Sequence, residues 1–260
     1  MHILELECAP AEAEDLVAEL WSRGVVGIEE RDTPGGRCLM TAYFEFLLDT
    51  APFDRYSPRW RVIEDQDWVE VARSQWTPLA VGERFYLVPE WSGEPAPPGR
   101  LRLAMRPGRA CGTGWAVPTQ LVLERMEKVV RPGAVVLDVG TGAGILSSAA
   151  ALLGAGRIYA CDIDHEATVI AAQRFRHENL RAHAFTGSLR SVRDASIDIV
   201  LANLNAATLI DLAPELERIR ARGGALVLGG FRDRDLARIE RAFHLTSGPF
   251  ERDGWLAAVG

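Results

Sequence analysis

The chain has 260 residues, 48% of them hydrophobic and 25% charged, with a formal net charge of -7 at pH 7. That length suits one large globular domain or two smaller ones, and the acidic balance, with no block of Lys and Arg, excludes a general nucleic-acid binder. With no basic, apolar N-terminal signal and no apolar run long enough to span a bilayer, the expected place of work is the cytoplasm, away from membranes.

Cys8, Cys38, Cys111 and Cys161 stand apart, without a CxxC pair or clustered histidines. Neither a zinc site nor a disulfide framework is indicated, and no metal is expected. Residues 2–7 (HILELE) alternate as a half-buried strand. Residues 11–22 (AEAEDLVAELWS) carry Leu16, Val17, Leu20 and Trp21 at helical spacing, and Gly24 ends the helix. Residues 25–32 and 37–46 read as two strands around Thr33-Pro34-Gly35-Gly36, a hairpin signal, and residues 60–64 as a further strand. The β-α-β-β order predicts a small ferredoxin-like α+β domain over residues 1–66.

Residues 67–76 (DWVEVARSQW) have the spacing of a short amphipathic helix whose tryptophans pack rather than form a ligand cage. Residues 85–88 read as a strand, and the three prolines and two glycines of residues 90–100 as a loop. Residues 67–99 are therefore a helical connector, and residues 100–260 a second domain. Residues 101–105 open that domain as a strand. Residues 106–120 (RPGRACGTGWAVPTQ) are too dense in Gly and Pro for regular structure, and they precede a helix over residues 121–130. Such a long loop is either functional or a connector crossing the sheet.

The continuous run Val135-Val136-Leu137-Asp138-Val139 predicts a central parallel strand covered on both faces. Gly140, Gly142 and Gly144 follow at alternate positions, then a helix over residues 145–153 closed by Gly154. A ligand is expected at that helix's N-terminus, over the strand's carboxyl end. A dinucleotide fingerprint starting at Gly140 would require glycine where the chain has Ile145, so a nicotinamide enzyme is disfavoured. The next strand, residues 157–161, ends at Asp162, where an acid can accept hydrogen bonds from both hydroxyls of a ribose.

A helix over residues 166–177 and a strand over residues 182–185 lead to the turn Gly187-Ser188. The apolar strand from residue 196 ends at Leu201-Ala202-Asn203-Leu204. Asn203 either faces the crevice at the sheet's carboxyl edge or caps the following helix, residues 206–220. A strand over residues 225–228, a helix over residues 233–243, and a closing hairpin over residues 245–250 and 255–259 complete the chain. Strands alternating with helices indicate an open, mostly parallel α/β sheet.

The pattern Asp138-x-Gly140-x-Gly142-x-Gly144 resembles motif I of class I S-adenosylmethionine-dependent methyltransferases. Six segments in order extend the likeness: DWVEVARSQWTPL from residue 67, RPGRACGTG from 106, VLDVGTGAGIL from 136, ACDIDHEA from 160, TGSL from 186 and VLANLNAATLIDLAPEL from 200. Together they resemble the ribosomal protein L11 methyltransferase (PrmA) family over essentially the whole chain. The resemblance implies a Rossmann-like, mostly parallel sheet with an antiparallel last strand, preceded by a ferredoxin-like substrate-recognition domain. It implies a monomer that transfers methyl groups from S-adenosylmethionine to lysine ε-amines and the N-terminal α-amine of ribosomal protein L11.

By position, Asp138, Gly140, Thr141 and Gly142 would hold the cofactor's methionine part, Asp162 and Ile163 its ribose side, and Ser188 its adenine. Cys111, Gly112 and Thr113 would close over it, Asn203 would also contact it, and Asn203 and Leu204, with Thr113, would orient the acceptor amine. One stretch departs from the family. Where relatives read Phe-Gly-Thr-Gly-x-His-x-Thr-Thr, this chain has Cys111-Gly112-Thr113-Gly114-Trp115-Ala116-Val117-Pro118-Thr119, and Trp115 is expected to replace the lost aromatic surface. A different amine acceptor, or cofactor binding without transfer, stays open on that ground.

Overall fold

The structure is a computed structural model that describes residues 2–25, 27–44, 46–62, 76–106 and 114–260. It divides into two units, Met1–Ser74 and Gln75–Gly260. The first contains β1 (His2–Cys8), α1 (Ala13–Ser22), β2 (Gly27–Asp32), β3 (Cys38–Phe44) and β4 (Arg59–Val62). All its strand pairs are antiparallel, in the order β2-β3-β1-β4, which is the ferredoxin-like arrangement. The period-two pattern sends Leu4, Leu6 and Cys8 of β1, and Met40, Ala42 and Phe44 of β3, into a core shared with Leu16 and Leu20 of α1. Between β3 and β4 the chain makes only a 3-10 stretch, Ala51–Tyr56, which buries Phe53 and Tyr56. Apart from Trp76, the helix expected at residues 67–76 lies outside the described residues.

The second unit opens with β5 (Leu79–Val81), β6 (Phe85–Pro89) and β7 (Leu101–Met105), a three-stranded sheet. Strands β5 and β6 come from residues expected to form a connector, and Val81, Phe85 and Leu87 join the second unit's core. There follow α2 (Val117–Val129), β8 (Val135–Val139), α3 (Ile145–Leu152), β9 (Arg157–Asp162), α4 (His165–His177) and β10 (Ala182–Thr186). The chain closes with β11 (Ile197–Asn203), α5 (Ala206–Ile219), β12 (Arg220–Arg232), α6 (Leu236–Ala242), β13 (Ser247–Arg252) and β14 (Trp255–Val259).

These last seven strands form one sheet in the order β10-β9-β8-β11-β12-β14-β13. It is parallel from β10 to β12, and β14 runs antiparallel to both β12 and β13. Val136 on one face of β8 packs with Leu121 and Met126 of α2 and with Ile145, Leu146 and Ala149 of α3. Leu137 and Val139, on the other face, pack with Leu209 and Leu216 of α5 and Ile239 of α6. Both faces are covered, as the unbroken apolar run of β8 requires.

Three boundaries differ from expectation. Helix α2 starts at Val117 rather than residue 121, because Pro118 occupies its first turn, where a missing N–H removes no helical bond. Strand β12 runs well beyond residues 225–228; Gly224 and Gly230 are close-packing positions within it, since a Cβ at Gly224 would lie 2.7 Å from Asp198 O and one at Gly230 2.6 Å from Leu204 O. The helix expected at residues 233–243 is a 3-10 turn, Asp233–Asp235, followed by α6. Among the described residues, no helix is long and apolar enough to cross a membrane.

Candidate functional site

Strands β8 and β9 end side by side, Asp138 in register with Ala160 and Val139 with Cys161. The chain then leaves β8 through a turn in which Gly140, Gly142 and Gly144 have φ of +67°, +51° and +77°. Residues with a Cβ are strained there. The amides of Gly140 and Thr141 both donate to Cys161 O, at 2.9 and 3.0 Å, which pins the turn to β9. A Cβ on Gly140 would overlap Leu204 Cδ2, and one on Gly144 would come within 2.8 Å of Phe175 on α4. The glycines thus serve the packing of the turn as well as its backbone shape.

Two carboxylates brace this turn from opposite sides. Asp138 is fully buried, and its Oδ2 accepts from Thr141 Oγ1 at 2.8 Å, Ser147 N at 3.1 Å and Ser147 Oγ at 2.8 Å. Its Oδ1 is buried with no hydrogen-bond partner among the described residues. Burial pushes this carboxyl up to about 6 from its ordinary 3.8, against the pull of the Thr141 and Ser147 hydrogen bonds. Asp162 accepts from Gly142 N at 3.0 Å through Oδ2 and from Asp164 N at 3.1 Å through Oδ1. Asp164 caps α4 by accepting from Glu166 N at 2.8 Å.

Beside Asp162, Ile163 holds an apolar side chain 87% exposed, although most apolar side chains of its size here are buried. Gly187 N donates to Asp162 O at 2.9 Å, so exposed Ser188 follows directly on the same edge. Across the sheet, Asn203 ends β11 opposite Gly229 of β12. Its Nδ2 donates to Thr119 Oγ1 at 3.3 Å, and its Oδ1 is buried with no hydrogen-bond partner among the described residues. The residue that caps α5 is Asn205, whose Oδ1 accepts from Thr208 N at 2.9 Å. Asn203 is therefore not the cap. Leu204 lays its side chain under the glycine turn and donates its amide to Gly229 O at 3.0 Å.

Cys111, Gly112 and Thr113 lie outside the described residues. The chain resumes at Gly114, where a Cβ would come within 2.7 Å of Leu87 Cδ2, tight against the β6–β7 sheet. Trp115 stacks on Trp76 with ring centroids 4.4 Å apart, and Trp76 stacks in turn on Trp91 at 5.9 Å. Its indole Nε1 donates to Thr77 O at 3.1 Å. The aromatic surface of Trp115 is thus engaged by its neighbours in a stack of three indoles.

The glycine turn, Asp138, Asp162, Ile163, Ser188 and Asn203 all stand at the carboxyl edge of the parallel strands. Thr119 and Ser147 belong with them and were given no role in the sequence reading. A threonine just after a proline at a helix start was the available signal for the first, and a serine on the first turn after a glycine loop for the second. A buried carboxylate with one open acceptor suits a ligand cation, and the glycines leave room for it.

The family model described as ribosomal protein L11 methyltransferase (PrmA) matches residues 38–259. The ribosomal protein L11 methyltransferase of Cupriavidus necator is 40% identical over 225 residues, covering 86% of this chain and 72% of that protein. The one from Cupriavidus taiwanensis is 41% identical over 184 residues, covering 70% of this chain and 61% of that protein. A solved ribosomal protein L11 methylase from Lactobacillus delbrueckii subsp. bulgaricus matches with a TM-score of 0.65 at 27% identity, covering 71% of this chain and 97% of that one.

Proposed function

Since the chain belongs to the ribosomal protein L11 methyltransferase (PrmA) family, we propose that it transfers methyl groups from S-adenosylmethionine to nitrogen atoms of ribosomal protein L11, at lysine ε-amines and the N-terminal α-amine. The observation that carries the reading is the acid-braced glycine turn at the same sheet edge as the amide oxygen of Asn203, which has no hydrogen-bond partner among the described residues.

S-adenosylmethionine supplies a methyl group on a cationic sulfur, ready for attack by a nucleophile. In this reading the free Oδ1 of Asp138 accepts from the cofactor's ammonium, and Gly140, Thr141 and Gly142 admit its methionine part to the backbone. Asp162 turns from Gly142 N to the ribose hydroxyls, while Ile163 covers one face of the adenine and Ser188 meets its edge. By their place in the sequence, Cys111, Gly112 and Thr113 are assigned to cofactor binding in the same reading. Asn203 Oδ1 and the carbonyl of Leu204 accept the N–H groups of an incoming amine, and Thr119 holds the Asn203 amide by accepting from its Nδ2, which leaves Oδ1 as the acceptor. The amine must be neutral to attack. Desolvation at the crevice lowers its pKa, and orientation then supplies much of the acceleration without a dedicated base.

Residues 1–66 act as the substrate-recognition domain, residues 67–99 as the connector and residues 100–260 as the methyltransferase domain. The enzyme works as a monomer in the cytoplasm and contacts protein rather than nucleic acid, in keeping with its net charge of -7. The altered loop favours one second reading, that the acceptor is another protein or a small-molecule amine, or that the cofactor binds without transfer. Tandem mass spectrometry of unmethylated L11 incubated with the chain and S-adenosylmethionine decides between them. Methyl increments on lysine or N-terminal nitrogens, lost with Asp162→Ala, are expected. An unchanged L11 mass, with cofactor binding intact, would favour the second reading.

A further inference from the structure

Between β10 and β11 the chain makes only a 3-10 turn, Leu189–Ser191, where other parallel connections of this sheet carry full helices. Helix α5 covers β11 and β12 on that face. The sheet beyond it, at β9 and β10, is therefore only partly roofed. Alternation and register bring Val135 and Leu137 of β8, Arg157 and Tyr159 of β9, and Phe185 of β10 to one side, where they line a cavity of about 610 Å³. This lies in the range of small-molecule sites.

The cavity's wall is fixed in place. The guanidinium of Arg218 on α5 donates to Leu189 O at 2.8 Å and Val192 O at 2.9 Å, and pairs with Asp194 and Glu215. Asp194 is thereby held by an ion pair beside the opening. The two charged residues lining the cavity are Arg157 and Arg193, both exposed and without an ion-pair partner among the described residues. Tyr159 and Phe185 remain half-buried, and His183 stacks against Tyr159 at 6.0 Å. An apolar, aromatic floor whose two charged lining residues are both arginines, with Ser191 and Ser196 beside them, stands out in a chain of net charge -7. Arg157 opens β9 and Asp162 ends it, so the cavity's Arg157 end lies roughly 17 Å along the strand from the glycine turn, at about 3.3 Å per residue, while Phe185, in register with Cys161, brings its other end nearer that turn.

We propose that this cavity is a second binding site, for a small amphipathic organic acid whose apolar body rests on Tyr159 and Phe185 and whose carboxylate pairs with Arg157 and Arg193. The preformed wall limits the ordering cost of binding, and the two guanidiniums select for an anion.

Calorimetric titration of decanoate into the full-length chain tests this, with and without saturating S-adenosylhomocysteine. One saturable site is expected, unaffected by S-adenosylhomocysteine and weakened about tenfold or more in the Arg157→Ala/Arg193→Ala double variant. Both positions are exposed, and circular dichroism verifies that the variant folds. Decanol, which lacks the charge, should bind more weakly and equally to both proteins. Absence of saturable decanoate binding, its displacement by S-adenosylhomocysteine, or equal decanoate affinity of the double variant would overturn the proposal. So would a self-association, measured by sedimentation, that the double substitution abolishes, since a second copy of the chain would then be the occupant.

Discussion

Asp138 places three donors on one oxygen and leaves the other bare inside full burial, an arrangement that suits a partner of opposite charge. With its carboxyl raised to about 6, the folded chain holds this proton more tightly than the unfolded chain does. The stability this group contributes is therefore complete below about 3.8 and is lost as pH rises through about 6. A bound ammonium favours the ionised form and reverses the trend. Affinity for S-adenosylmethionine is expected to rise between about pH 5 and about pH 7 and then level off, while Asp138→Asn binds more weakly with a flat profile. Calorimetry across that range checks this, and an Asn variant with the unaltered profile would contradict it. Asn203→Ala should lower turnover by roughly 100-fold, the scale of lost acceptor orientation, with cofactor affinity changed by less than about threefold. Steady-state kinetics showing full turnover would remove Asn203 from the site. Asp138 and Asp162 were legible because their spacing to the glycines survives in sequence. Thr119 was not, because its contact with Asn203 depends on where α2 begins.

The turn between β8 and α3 is an element whose backbone and packing both demand glycine. Gly140→Ala combines a φ of +67° with an overlap against Leu204, and should cost about 2 kcal/mol. That corresponds to a fall in Tm of roughly 4–8 °C, with loss of cofactor affinity beyond what the stability change explains. A variant that melts and binds like the parent, by scanning calorimetry and titration, would show that the turn is not under this constraint. At this scale the buried parallel strands were easy to read, since continuous apolar runs bounded by glycine leave few alternatives. The short elements were harder. The 3-10 stretch Ala51–Tyr56 and the three-residue β5 are too brief to show a period, and Gly223, Gly224, Gly229 and Gly230 leave only residues 225–228 of β12 as an unbroken apolar run.

Over the whole molecule, each unit closes a core of its own, one around Leu4, Leu6 and Phe44 and another around β8 and the helices on its two faces. Chain order alone made both architectures legible, β-α-β-β followed by alternating strands and helices. The unit boundary was less visible, because β5 and β6 lie in a Pro- and Gly-rich stretch that reads as linker yet pack into the second core. The glycine turn, Asp138, Asp162 and Asn203 all belong to the second unit. A fragment of residues 75–260 should therefore fold and bind S-adenosylmethionine, and the recognition role proposed for the first unit predicts that it has lost L11. The decisive measurement is the mass of unmethylated L11 after incubation with S-adenosylmethionine and either the full chain or this fragment, each first shown by calorimetry to bind the cofactor. Methyl increments from the full chain and none from the fragment are expected; no increments from the full chain, or equal increments from both, would contradict a methyltransferase that recognises L11 through its N-terminal unit.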